Sequence, residues 1–113
     1  MTELINQECG ACKADAPLLT AQQIDELKPQ IPEWEIIQEQ GIDRLIRTFK
    51  FTDYMQGLSF TTRVGEIAEQ AGHHPAILTE WGKVTVSWWS HKIKGLHLND
   101  FIMAAKTEDI AKQ

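Results

Sequence analysis

From Leu18 onward, apolar residues alternate between stretches of helical and of strand period. Thr20 followed by Gln23 has the capping-box pattern, and Ile24 and Leu27 then mark one face of a short helix ending near Pro29. After Pro32, residues 33–38 (Glu-Trp-Glu-Ile-Ile-Gln) read as a strand and Gly41 as its turn. Residues 42–51, rich in Ile, Leu, Thr and Phe, then read as the partner strand of a hairpin. Thr52 and Asp53 are candidate N-caps for the longest helix, about 53–71, in which Phe60, Val64, Ile67, Ala68 and Ala71 recur at intervals of three and four. Gly72 stands where a helix end favours a left-handed residue. Beyond His73-His74-Pro75 come a short strand near 76–81, a turn at Gly82-Lys83 and a strand over 83–91. In that strand Val84, Val86 and Trp88 face one side, and Thr85, Ser87, Trp89 and His91 the other. A last helix begins near Leu98 or Asn99 and runs to about 111, with Phe101, Ile102 and Ala105 on its inner face.

The predicted order is helix, two strands, helix, two strands, helix. Hairpins imply antiparallel pairing, and three helices that are apolar on one side need a sheet to cover. The fold class is therefore α+β, a four-stranded antiparallel sheet with three helices packed on one face (α-β-β-α-β-β-α). The other face is left partly open to a ligand or another subunit. Residues 1–17 read as a flexible N-terminal tail and residues 18–113 as a single domain.

Composition narrows the function classes. At 113 residues one modest core is expected and no second domain fits. Eleven Lys and Arg against sixteen Asp and Glu leave a charge of −5, which argues against a nucleic-acid partner. No stretch approaches the roughly 18 apolar residues of a membrane span. The polar start Met1-Thr2-Glu3 is unlike a signal peptide, so a cytoplasmic location is the default expectation. Cys9 and Cys12 form a Cys-x-x-Cys pair, but no strand-to-helix junction surrounds it as in a redox motif. Half a zinc site is the alternative to an unmodified tail.

The chemical signal is carried by histidine. His73, His74, His91 and His97 all fall in the last 41 residues, and imidazole can donate or accept a proton near neutral pH. His73 and His74 leave a helix C-terminus, whose partial negative charge favours the protonated ring, so the pair can hold one acid and one base. Pro75 pushes His74 toward an extended conformation. Trp89 beside His91 would suit a flat heteroaromatic substrate; the alternative is a half-exposed strand end where Trp89 covers a subunit contact. Adjacent histidines diverge when extended, and the i, i+4 spacing of a helical metal site is absent, so no metal is expected. Asp100, in the first turn of the last helix, has the ordinary role of a capping carboxylate. Glu69, four residues before His73, could orient that ring or be a solvated charge. Arg44, Arg47, Lys50 and Arg63 read as scattered basic residues.

Taken together, Glu69, three residues, His73-His74-Pro75, five residues, Trp81, nine residues, His91, eight residues and Asp100 resemble the signature of the pterin-4a-carbinolamine dehydratases. The resemblance runs over roughly residues 18–112, and Trp81-Gly82-Lys83-Val84 and Trp88-Trp89-Ser90-His91 are similar to bacterial members in particular. It implies the fold already reached. It also implies dehydration of 4a-hydroxytetrahydropterin, released by aromatic amino-acid hydroxylases, to quinonoid dihydropterin. Pterin is then the substrate, with no metal or organic cofactor. By the same resemblance His73, His74 and His91 are catalytic, with His74 and His91 as the principal proton-transfer pair and His73 binding the hydroxyl or assisting. Pro75, Ser90 and Trp89 would border the pterin, Asp100 would organise the site, and Glu69 would orient His73. Family members form dimers or tetramers, and some serve as dimerisation cofactors for a transcription factor; an interaction module with an idle pocket is the alternative function. Two positions depart from the pattern: Gly72, where some members carry an acidic residue, and His97, where Ser or Thr often caps the last helix.

Overall fold

Thr20 Oγ1 accepts from the Gln23 N–H at 3.2 Å, and Gln23 Oε1 accepts in return from the Thr20 N–H at 2.8 Å. The capping box thus opens the first helix where the sequence places it. The protein is described from a computed structural model, which covers Leu4 and residues 18–112. Cys9, Cys12 and, apart from Leu4, the rest of the stretch expected to be a tail lie outside the described residues. Leu4 itself is buried, and its N–H donates to Gln30 Oε1 at 2.9 Å.

The elements are α1 (Ala21–Leu27), β1 (Glu35–Glu39), β2 (Ile42–Lys50), α2 (Tyr54–Ala71), β3 (Ala76–Glu80), β4 (Lys83–Trp88) and α3 (Leu98–Ala111). A 3₁₀ turn over Lys28–Gln30, with Pro29 inside it, follows α1. The strands form one antiparallel sheet in the order β1-β2-β4-β3. The α+β architecture read from the sequence is the one observed. Gln40 and Gly41, both at positive φ, make the tight turn of the first hairpin, as such two-residue turns require.

Register decides which side chains meet. Leu45 pairs with Trp88 and Phe49 with Val84, so these residues share the covered face with Val86. Phe60 of α2 packs on Phe49 and Phe51, with ring centroids 4.9 and 5.2 Å away. Val64 and Ala68 extend that stripe, while Phe101, Ile102 and Met103 of α3 complete the core. Each fully buried Phe or Val contributes roughly 1.5–3 kcal/mol in transfer terms. Gly57 permits the close approach of α2 to β4, because a Cβ there would lie 3.2 Å from Val84 Cγ2. On the opposite face the Thr48 and Thr85 hydroxyls meet at 3.0 Å, and Leu78 is exposed.

Two strand boundaries differ from expectation. Trp34 lies before β1 and is buried, its N–H held by the Ile31 carbonyl at 3.1 Å. The ladder of β4 ends at Trp88, not at His91. Its neighbour β3 begins at Ala76, since Pro75 has no N–H to extend the pairing. The chain instead forms a loop closed by reciprocal Ser90–Gly95 backbone bonds of 2.8 and 3.4 Å. Alternation nevertheless continues past the strand: Ser90 is buried and His91 is exposed.

Candidate active site

The end of α2, the loop after β4 and the start of α3 converge, because all three leave the covered face of the sheet at the same edge. Asp53 caps α2 by accepting from the Gln56 N–H at 2.8 Å, and Gly72 closes it at φ 66°. That left-handed turn separates the next two side chains. His73 folds inward and is 3% exposed, while His74 remains outside.

His73 Nε2 lies 2.6 Å from Asp100 Oδ1. A carboxylate only accepts, so Nε2 is the donor there. Asp100, with no solvent exposure, also accepts at Oδ2 from Ser90 Oγ (2.8 Å) and from the His97 N–H (2.9 Å). One buried carboxylate thus receives three donors, the condition under which burying a charge is tolerable. The His73 ring lies nearly parallel to Trp88, with centroids 5.6 Å apart and planes 11° from coplanar. Trp88 is held in turn by its Nε1–H to Thr107 Oγ1 at 3.1 Å. His97 caps α3, its Nδ1 accepting from the Asn99 N–H at 3.2 Å.

The outer layer holds the other two histidines. His91 Nε2 is 3.1 Å from the His74 carbonyl oxygen, which fixes Nε2 as donor and leaves Nδ1 as the ring's other proton site. His74 Nε2 pairs with Glu69 Oε1 at 2.8 Å, both side chains being largely exposed. Trp89 stacks on His91, centroids 4.5 Å apart and planes 23° from coplanar. The Arg44 guanidinium stands 4.0 Å from the Trp89 ring centroid. Two exposed imidazoles beside this half-buried indole can exchange protons with a small molecule held at the same surface.

The structure therefore brings His74, His91 and Trp89 to one surface, beside half-buried Pro75, and places His73, Ser90 and Asp100 directly beneath. Two expectations change. Glu69 partners His74, not His73: Gly72 turns the chain, and Asp100 occupies His73 Nε2. Ser90 does not share the outer surface with Trp89 and His91, because strand alternation points it inward to Asp100. Arg44 was not singled out by sequence spacing. Its place opposite Trp89 depends on the β2–β4 register, for which the sequence holds no local signal.

Among the described residues no three His, Cys, Asp or Glu side chains gather as a metal-ligand set, and no helix is long and apolar enough to cross a membrane. Two grooves of about 400 and 630 Å³ lie around Lys50 and Phe51 and include no histidine. The groups able to move protons mark the candidate site.

Comparison with known proteins gives the family. The family described as pterin 4 alpha carbinolamine dehydratase matches residues 17–110. A protein of Nitrosococcus oceani is 57% identical over 112 residues, covering 99% of both chains. One from Gloeobacter violaceus is 57% identical over 110 residues, covering 97% of this chain and 95% of the relative. Both carry the provisional name pterin-4-alpha-carbinolamine dehydratase. The solved structure of a transcriptional coactivator/pterin dehydratase from Brucella melitensis superposes with a TM-score of 0.75 at 27% identity, covering 84% of this chain and 99% of that one. A pterin dehydratase-like protein identified as a RuBisCO assembly factor in the alpha-carboxysome shares the fold, with a TM-score of 0.59 at 20% identity and coverage of 70% of this chain and 89% of that one. The chain, matched over nearly all its length by the family and by relatives above half identity, belongs to the pterin 4 alpha carbinolamine dehydratases, a family of hydro-lyases.

Proposed function

We propose that the protein dehydrates 4a-hydroxytetrahydropterin to quinonoid dihydropterin by histidine acid–base catalysis, without a metal or organic cofactor. The observation that supports this reading is the 3.1 Å contact of His91 Nε2 with the His74 backbone carbonyl, which joins two residues with exposed imidazoles, the His91 ring being stacked on Trp89. In the reaction one imidazole gives a proton to the 4a-hydroxyl, the C4a–O bond breaks and water leaves. The other imidazole takes the N5 proton, and the N5 electron pair forms the new double bond to C4a. One proton is given and one received, so exchange between the two rings or with solvent restores the site. His73 serves from beneath, its ring held by Asp100, and Pro75 and Trp89 border the pterin.

The substrate is what an aromatic amino-acid hydroxylase releases, so the protein would return spent pterin to such an enzyme by way of a reductase. We also propose self-association as a dimer or tetramer, supported by the exposed Tyr54, Met55 and Leu58 at the start of α2 and by Trp81, 74% exposed. Sedimentation of the purified chain tests that point, and a monomer at micromolar concentration would overturn it.

The test of function is absorbance-followed turnover of enzymatically generated 4a-hydroxytetrahydropterin, corrected for the unaided reaction. Acceleration by the wild type that is lost in His74→Ala and His91→Ala supports the reading. No acceleration by folded wild-type protein would overturn it and turn attention to an interaction role.

A further inference from the structure

We propose that Arg44 is a positioning residue for His91, acting through Trp89. The pairing of Leu45 with Trp88 sets Arg44 opposite Trp89 one step beyond the ladder, both on the sheet face away from the helices. The Arg44 side chain is only 12% exposed although it ends in a cation. Its terminal nitrogens reach Glu39, with Nη1 3.3 Å from Oε2 and Nη2 donating to the carbonyl at 3.4 Å. Its Nε, buried as well, has no hydrogen-bond partner among the described residues. Glu39 is itself 62% exposed, and the indole face 4.0 Å away encloses the guanidinium further, beside Ile37, the cross-strand partner of Arg44. A guanidinium suits that place because it is planar, weakly hydrated and able to stack, whereas an ammonium is a compact hydrated point charge.

The consequence falls on His91. Its ring has two constraints in the structure, the Trp89 stack and the single bond to the His74 carbonyl. One bond leaves the imidazole free to swing about that contact; the indole plane removes this freedom, and Arg44 holds the indole. The first hairpin, which carries none of the histidines, thereby fixes the orientation of a ring at the proton-transfer surface.

The kinetic part of this inference rests on the dehydratase reading, while the spectroscopic part does not. In the free protein the His91 ring protons should be displaced upfield by the Trp89 ring current. In Arg44→Met they should move back toward ordinary imidazole positions, with the Trp88 indole N–H signal unchanged as a check on the core. Turnover should fall about 2- to 30-fold, the range of one cation–π contact, in kcat more than in KM. Arg44→Lys, which keeps the charge without the plane, should give the same direction of change and serves if the methionine variant does not fold. Wild-type His91 shifts in a folded Arg44 variant would overturn the proposal whatever the kinetics show. If the wild type has no dehydratase activity, the function reading fails and the ring shifts alone decide the role of Arg44.

Discussion

His73 Nε2 and Asp100 Oδ1, 27 residues apart in the chain, meet at 2.6 Å with almost no solvent access to either side chain. This contact ties the end of α2 to the first turn of α3 and makes Asp100 both a helix cap and the support of the buried ring. Asp100→Asn keeps the shape but aims an NH₂ group at donors that need an acceptor. It should destabilise the fold by roughly 1–3 kcal/mol, the cost of leaving a buried polar group unsatisfied. Thermal melting checks this, and an unchanged midpoint would mean that the three contacts do not hold in solution.

Substitutions at the two adjacent histidines should separate cleanly. His74→Ala removes an exposed ring but keeps the backbone carbonyl that anchors His91, so the fold should be retained while turnover falls about 10²–10⁴-fold. His73→Ala instead leaves Asp100 without its buried partner and opens a void beside Trp88, so the main loss should be in stability, on the order of 3–5 kcal/mol. Melting curves and rates on both proteins make the comparison; equal loss of stability in the two would contradict the inside–outside division.

Glu69→Gln should be nearly silent in stability, within about 0.5 kcal/mol, since the pair with His74 is solvent-exposed and screened. Urea unfolding tests this directly. A loss of several kcal/mol would place the carboxylate in a more enclosed setting than it has here.

His97→Ala should cost about 1 kcal/mol of stability through loss of a helix cap, with turnover changed less than about twofold. The Asp100 contact uses the His97 backbone N–H and survives the change. A large fall in rate with an intact fold would bring His97 into the chemistry.

Gly72→Ala tests the turn that parts His73 from His74. Nothing lies within 4 Å of an added Cβ, so the expected penalty, about 1–2 kcal/mol, is that of a left-handed alanine at φ 66°. Unfolding by denaturant measures it, and a neutral result would show that the turn relaxes without cost.

The elements were legible along the chain because their causes are local. The Thr20–Gln23 box, the Asp53 cap, the Gly72 stop and the two-residue alternation of Val84, Val86 and Trp88 each act within a few residues, and all appear in the structure. The histidines, too, were legible as the carriers of chemistry, since little else in the chain titrates near neutrality. Tertiary structure decided what each of them touches. Whether Glu69 reached His73 or His74 turned on a single left-handed residue, and the burial of His73 depended on Asp100 arriving from another helix. The resemblance made Ser90 a ligand contact, but alternation put it on the covered side, where Asp100 arrives from α3 to accept its hydroxyl. Arg44 gained its position from strand register alone. Spacing along a chain fixes which face a side chain takes, but the partner on that face comes from distant segments, and only packing brings them together.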